Sequence, residues 1–153
     1  MKPVRIVSLV CAALVLVGHV CTAEGQTKEN KKASLYDRLG GSETLGKIFD
    51  EVGPLMAADP LLAKFFQGQS PEALKAQRDN TITFLCNATG GPCEYKGLPL
   101  KKAHGSLNIS EDQWKAFIKH LGAAMDNLKI AAKEKHDMLS LAGHYKSDVV
   151  QKK

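Results

Sequence analysis

Apolar side chains recur every three or four positions along much of this chain, and that spacing predicts amphipathic α-helices. The clearest run begins at Ser110, which forms a capping-box pattern with Gln113. The apolar positions that follow at helical spacing are Trp114, Phe117, Ile118, Leu121, Met125 and Leu128. Beyond residue 23 no stretch alternates apolar and polar residues as a half-buried strand does. The pattern therefore predicts an all-α protein.

Glycine and proline mark where further helices begin and end. A short first helix over 34–39 is expected to stop at Gly40-Gly41, and Ser42 is the expected N-cap of a second helix. Gly53-Pro54 predicts a kink or break in that helix, because proline removes a backbone donor and clashes with the preceding turn. A last amphipathic helix is predicted over 138–149.

A third long helix is predicted to start at Ser70-Pro71, where a capping side chain precedes a proline at the first helical position. Gly90-Gly91-Pro92 ends it, and an ordered loop then leads to a short helix that carries His104. One face of the third helix could roof a pocket. Its members are Leu74, Gln77, Arg78, Thr81, Phe84 and Leu85.

The first 23 residues have the order of a secretory signal peptide. Lys2 and Arg5 precede a mostly apolar run over 6–17, and small residues follow it up to Ala23. We expect cleavage near Ala23 and export, to the periplasm. The alternative is that the segment stays as a membrane anchor, although the run is short for a membrane-spanning helix.

One domain is expected over 34–150, between a polar linker over 24–33 and a tail over 151–153. Removal of the leader would take two of the 21 basic side chains and no acidic one. That leaves 19 basic against 16 acidic residues, a formal charge of +3. A charge this small and this interspersed gives no reason to expect nucleic-acid binding.

Export would leave two cysteines in the mature chain, Cys86 and Cys93, because Cys11 and Cys21 lie in the leader. In an oxidising compartment such a pair predicts a disulfide that closes a short loop. Two unpaired thiols are the alternative. A zinc site is disfavoured, since the chain has no Cys-x-x-Cys pair and no histidine at zinc-finger spacing.

Three motifs occur in an order that resembles the truncated haemoglobins, most nearly group I. They are Ser34-Leu-Tyr-Asp-Arg-Leu-Gly-Gly41, Ala57-Ala-Asp-Pro-Leu-Leu-Ala-Lys-Phe-Phe66, and a Gly90-Gly-Pro…Tyr95-Lys-Gly97 loop that precedes His104. The resemblance covers roughly residues 34–150. It implies a two-over-two helical sandwich.

The same resemblance implies one haem b whose iron is bound by His104 as the proximal ligand. It also implies that Phe66 wedges against the porphyrin. Further candidate contacts are Phe84, Leu85, Leu100, Ile109 and Phe117 as apolar walls, and Arg78, Tyr95, Lys101 and Lys102 near the propionates. The histidines His120, His136 and His144 are predicted to be solvent-facing residues of helices.

The distal side departs from the family pattern. Gly53 falls where group I members commonly carry a tyrosine that stabilises the bound ligand, and Gln77 and Thr81 fall at the roof positions. One of these two side chains must then supply a hydrogen-bond donor to the ligand, or the ligand is held weakly. Alternatively, a roof side chain binds the iron itself.

These features favour an exported protein that binds dioxygen, nitric oxide or carbon monoxide at a His104-ligated haem, rather than a dedicated enzyme. Nitric-oxide dioxygenation and peroxidase-like side reactions stay open. Both need an external electron donor, because the chain has no nicotinamide or flavin motif. The alternatives are a periplasmic electron carrier with six-coordinate haem and a haem-free exported helical adaptor.

Overall fold

The computed structural model describes residues 32–151, which contain seven α-helices and one 3₁₀ turn. The helices are α1 (Leu35–Leu39), α2 (Gly41–Ala58), α3 (Pro71–Ala88), α4 (Leu100–His104), α5 (Glu111–Asn127), α6 (Ala132–His144) and α7 (Lys146–Val149), and the 3₁₀ turn is Ala63–Phe65. This described part contains no strand, as predicted. The predicted leader, most of the linker and Lys152-Lys153 lie outside it.

Serine side chains cap three of the helices, and two of these caps, Ser70 and Ser110, are the ones that the sequence predicts. The Ser34 hydroxyl accepts the backbone N–H of Asp37, and Ser70 accepts that of Ala73. Ser110 and Gln113 form the complete capping box at the start of α5. Each cap satisfies a backbone donor that the first turn of a helix leaves free.

The junction of α1 and α2 differs from the prediction at Ser42. Gly40 adopts φ +93°, a left-handed conformation that suits glycine, and the chain enters α2 at once at Gly41. Ser42 therefore lies inside the first turn, and its hydroxyl bonds the Tyr36 hydroxyl at 3.0 Å instead of capping the helix.

Helix α2 continues through Gly53-Pro54 to Ala58, so the predicted break is wrong. A proline clashes with the Cβ of the residue before it when that residue is helical. Gly53 has no Cβ, and this removes that clash. The remaining costs are the backbone donor that Pro54 lacks and the contact of its ring with the carbonyl of Asp50.

Helices α2 and α5 form the centre of the sandwich. Helix α2 packs against α3 and α5, α5 packs against α6, and α1 packs against α2 and α6. The side chains that are fully buried at this centre are Leu45, Ile48, Cys86 and Met125. Burial of each large aliphatic side chain contributes about 1.5–3 kcal/mol. A second, smaller cluster contains Ile109, Trp114 and Val149.

The C-terminal end of the domain differs from the prediction in two ways. The last helix divides at Tyr145, so that α6 and α7 replace one continuous helix. Gln151 belongs to the domain rather than to a tail. Its side-chain oxygen accepts the N–H of Ile109 at 3.0 Å, and its own N–H donates to the Ile109 carbonyl at 2.9 Å. No helix within 32–151 is both long and apolar enough to span a membrane.

Candidate haem site

His104 ends the short helix α4 with a half-buried imidazole. Its Nδ1 lies 2.9 Å from the carbonyl oxygen of Leu100. Because a carbonyl can only accept, this bond assigns the proton to Nδ1 and leaves the Nε2 lone pair free. Within residues 32–151 nothing hydrogen-bonds Nε2. A histidine held this way has the second-shell support that metal-binding histidines commonly have.

The loop before α4 is fixed by three contacts. Cys86 and Cys93 lie side by side with a Cα–Cα distance of 5.7 Å, which is the spacing of a disulfide. The Asn87 amide donates to the Cys93 carbonyl at 3.0 Å, and the Tyr95 hydroxyl donates to the Leu98 carbonyl at 2.9 Å. The Tyr95 hydroxyl, predicted near a propionate, thus holds the loop that leads to His104.

Helix α3 leaves one face largely uncovered. Cys86 is its only buried residue, and α3 packs against α2 but not closely against α4. Leu74 on this helix is 38% exposed, and Leu98 and Leu107, which flank α4 in the sequence, are 61% and 40% exposed. Large apolar side chains in this setting fit an apolar cofactor that would remove them from water.

Four of the predicted aromatic and aliphatic walls, Phe66, Phe84, Leu85 and Leu100, are half-buried. Phe84 packs edge-on against the rings of Tyr95 at 5.4 Å and Tyr145 at 5.1 Å, and Leu85 packs against the main core. Phe84 and Leu85 thus have packing partners within the protein, and their contact with a cofactor stays a prediction.

The two roof side chains are not equivalent as hydrogen-bond donors. The Thr81 hydroxyl donates to the Gln77 carbonyl at 2.8 Å, so its proton is engaged. The Gln77 carboxamide is exposed and has no hydrogen-bond partner within the described residues. Gln77 is consequently the better placed donor for a ligand. Gly53 adds no side chain, and a Cβ built there would meet no atom within 4 Å.

The bacterial-like globin family matches residues 34–150, which is most of the chain. The chain belongs to this family. The group 1 truncated hemoglobin GlbN of Nostoc sp. (strain MUN 8820) is 32% identical over 120 residues, covering 78% of this chain and 99% of the relative. The chain is thus a truncated haemoglobin of the group I type, as its motifs predicted.

Solved structures agree on the fold of this globin. The Fe(III) form of the truncated hemoglobin from Tetrahymena pyriformis superposes with a TM-score of 0.72 at 23% identity, covering 78% of this chain and 100% of that chain. The 2/2 hemoglobin from Synechococcus sp. PCC 7002, solved in the cyanomet state with covalently attached heme, gives 0.71 at 21% identity, with 77% and 98% covered. The predicted two-over-two sandwich is confirmed.

The sequence suggested that Arg78 lies near a haem propionate, but its guanidinium binds a carboxylate of the protein instead. In this globin its Nε and Nη2 bind both carboxylate oxygens of Asp50 at 2.5 and 2.6 Å. The bond to Arg78 holds the pKa of the Asp50 carboxyl below its ordinary value. Lys101 and Lys102 are exposed on α4 and stay candidates.

His120 was wrongly predicted to face solvent. Its Nε2 lies 2.7 Å from a carboxylate oxygen of Asp59, and the two side chains are only 16% and 19% exposed. The other Asp59 oxygen accepts the Leu61 N–H, and the Gln113 amide donates to the Leu61 carbonyl. These bonds tie the corner that carries Phe66 to α5. His120 follows the buried Gln113 by seven residues, and this spacing could have revealed its inward position.

We expect His120→Phe to loosen this corner. The substitution leaves the Asp59 carboxylate without its partner, so the denaturation midpoint should fall and haem should transfer faster to an acceptor apoglobin. His120→Gln keeps an N–H donor and should retain most of the stability. The exposed His136 offers the control, because His136→Phe should change neither quantity. Equal behaviour of the two phenylalanine variants would contradict a positioning role for His120.

The same contact predicts an acid limit. Hydrogen bonds from His120 and from the Leu61 N–H hold the pKa of Asp59 below its ordinary 3.8. A carboxyl with a lowered pKa in the folded state adds stability above its unfolded-state value and loses it as the pH falls through the folded-state value. The corner contact should therefore persist at pH 5 and weaken only below about pH 3.8.

Proposed function

We propose that this globin binds one haem b through Nε2 of His104 and takes dioxygen, nitric oxide or carbon monoxide on the opposite face. The observation that carries the proposal is the His104 side chain, whose Nδ1 is bonded to Leu100 and whose Nε2 is free. The family membership and the exposed leucine side chains on α3 and on either side of α4 support it. When bound, the haem supplies the iron to which the small ligand attaches.

The chain's own residues would perform three tasks. The Leu100 carbonyl orients the imidazole by accepting a hydrogen bond from its Nδ1–H. Phe66 and the uncovered leucines exclude water from the cofactor. The exposed Gln77 carboxamide can donate a hydrogen bond to a ligand that carries partial negative charge.

These tasks are sufficient for a protein that binds or senses a diatomic ligand, and none of them needs a reductase within the chain. Any turnover, such as nitric-oxide dioxygenation, would need an electron donor from outside the chain. The test is the absorption spectrum of the purified protein in its ferric, ferrous and carbon-monoxide-bound forms. We expect a ferrous form that binds carbon monoxide readily. A six-coordinate ferrous form that resists carbon monoxide would favour the electron carrier, and no Soret band after haem addition would favour the haem-free adaptor.

We also propose that the mature protein is exported and carries the Cys86–Cys93 disulfide. The charged, apolar and small-residue order of the first 23 residues supports export. The two cysteines already lie at the Cα–Cα separation that a disulfide needs. Intact-mass analysis of protein from a periplasmic extract tests both points. A chain that begins near Glu24 and lacks the hydrogens of both thiols is the expected result, and a full-length reduced chain would contradict it.

A further inference from the structure

Helix α4, which carries His104, has few contacts of its own to fix its position. It spans 5 residues, no side chain caps its start, and none of its residues is fully buried. A helix this short is not stable by itself in water, so neighbouring elements must hold it. Within the part of the chain that the structure describes, α7 is the only helix that packs closely against α4. The position of the His104 imidazole therefore depends on α7.

The residues at the end of α7 are fixed in turn to the segment that follows His104. The Ile109 N–H donates to the side-chain oxygen of Gln151 at 3.0 Å, and the Gln151 N–H donates to the Ile109 carbonyl at 2.9 Å. The side chains of Ile109 and Val149 are each 9% exposed and lie in one apolar cluster with Trp114. We call the contacts of Val149 and Gln151 with Ile109 the Ile109 clamp.

Only a short, bent segment separates the Ile109 clamp from His104. The Leu107 N–H donates to the His104 carbonyl at 2.9 Å, and Asn108 adopts φ +51°. This left-handed conformation is one that asparagine tolerates better than most residues. Because residues 105–108 are held in a turn, a displacement of Ile109 is transmitted to the end of α4. The clamp thus restrains α4 from the segment that follows it, in addition to the packing of α7.

The side-chain oxygen of Gln151 is the part of the clamp that a single substitution can remove. Gln151 is exposed, whereas the Ile109 N–H to which it bonds belongs to a buried residue. The Gln151 carboxamide nitrogen has only a long contact, 3.4 Å to the Asp148 carbonyl. Loss of the oxygen would leave the Ile109 N–H without its acceptor, while the backbone bond from Gln151 to Ile109 stays possible.

We propose that Gln151 is a positioning residue for the haem ligand, because its bond to Ile109 holds α4 and thereby the His104 imidazole. This inference rests on the haem binding proposed above. Residues outside the first shell that fix a ligand histidine strengthen its bond to the metal. Here the Leu100 carbonyl fixes the rotation of the ring, and Gln151 fixes the helix that carries the ring.

Three variants separate positioning from general stability. Gln151→Ala removes the acceptor of the Ile109 N–H, and Gln151→Glu keeps an acceptor oxygen. Ser34→Ala is the matched control, since the Ser34 hydroxyl also accepts one backbone N–H, that of Asp37 at the start of α1. The measurements are the iron–histidine stretching band of the ferrous protein by resonance Raman spectroscopy, the rate of haem transfer to an acceptor apoglobin, and amide hydrogen exchange of residues 100–109 in the haem-free protein.

We expect Gln151→Ala to shift the iron–histidine band and to speed haem transfer by about threefold to tenfold, the effect of one lost hydrogen bond. Amide exchange over residues 100–109 should rise by a similar factor, because local opening of α4 becomes easier. Gln151→Glu should resemble the wild type in all three measurements. Ser34→Ala should leave the band and the exchange of residues 100–109 unchanged.

The inference is wrong if Gln151→Ala leaves the band and the exchange unchanged, if Ser34→Ala alters them equally, or if Gln151→Glu behaves like Gln151→Ala. If Gln151→Ala loses haem too fast for a Raman spectrum, the transfer rate and the exchange of residues 100–109 decide. A wild-type protein without a Soret band would instead overturn the proposed function. That failure is distinguishable, because the exchange comparison is made without haem.

Discussion

Replacing His104 by glycine is expected to weaken haem binding by more than about a hundredfold, because the substitution removes the ligand itself and not merely its support. The imidazole presents Nε2 while Nδ1 is bonded to Leu100, and the ring is half-buried. Free imidazole in the solution should restore much of the binding, since it can take the place of the missing side chain. The measurement is haem dissociation to an excess of acceptor apoglobin.

His144 provides a matched control for this substitution. Its Nδ1 also bonds a carbonyl four residues earlier, Ser140, at 2.8 Å, so its local geometry resembles that of His104. His144 is exposed at the end of α6 and lies far along the chain from the loop that precedes α4. His144→Gly should leave haem binding unchanged. If both glycine variants lost haem equally, the local geometry would not identify the ligand.

Removal of the disulfide is expected to give the largest loss of stability. Replacing Cys86 and Cys93 by alanine frees a short loop in the unfolded chain, which costs about 2–3 kcal/mol in the chain-entropy model. Cys86 is fully buried among the core side chains, so alanine also leaves a smaller residue there. Denaturant-induced unfolding of the wild-type protein and of the double alanine variant, under non-oxidising and under oxidising conditions, measures the difference in the free energy of unfolding.

The wild-type protein under reducing conditions is the control for this loss. It should lose most of the same stability, because reduction opens the same loop. Reduction adds only one hydrogen to each cysteine, so the buried side chain of Cys86 keeps its size. Since the disulfide joins the end of α3 to the loop before His104, haem should also dissociate faster from the reduced protein. If reduction leaves the wild-type unfolding curve unchanged, the thiols are unpaired in the purified protein, as the alternative holds.

Much of the fold follows from local signals in the sequence. Ser70 and Ser110 each carry a side chain that satisfies backbone donors at a helix start, and each caps a helix as predicted. Gly40 ends the first helix because it can adopt a positive φ. The place of His104 on a short helix after a glycine-containing loop was also visible, because its motif spans residues that are neighbours in the chain.

The predictions are wrong where the structure depends on the Cβ that an adjacent glycine lacks, or on a partner residue that is distant in the sequence. Pro54 does not break α2, because the residue before it has no Cβ to clash with. His120 is paired with Asp59, which is 61 positions away in the sequence. The guanidinium of Arg78 binds Asp50, which is 28 positions away. The Tyr95 hydroxyl bonds the Leu98 carbonyl, a contact that is local in the sequence but that its pattern does not indicate. Polar side chains with several candidate partners are assigned only by the tertiary structure.

Titration of the haem-free protein with haem, followed at the Soret band, tests whether His104 binds the haem iron. We expect a linear rise that ends at one haem per chain, a ferrous form that binds carbon monoxide, and loss of this behaviour in His104→Gly but not in His144→Gly. A wild-type protein that produces no Soret shift, or a His104→Gly variant that titrates like the wild type, would contradict the assignment of His104 as the haem ligand.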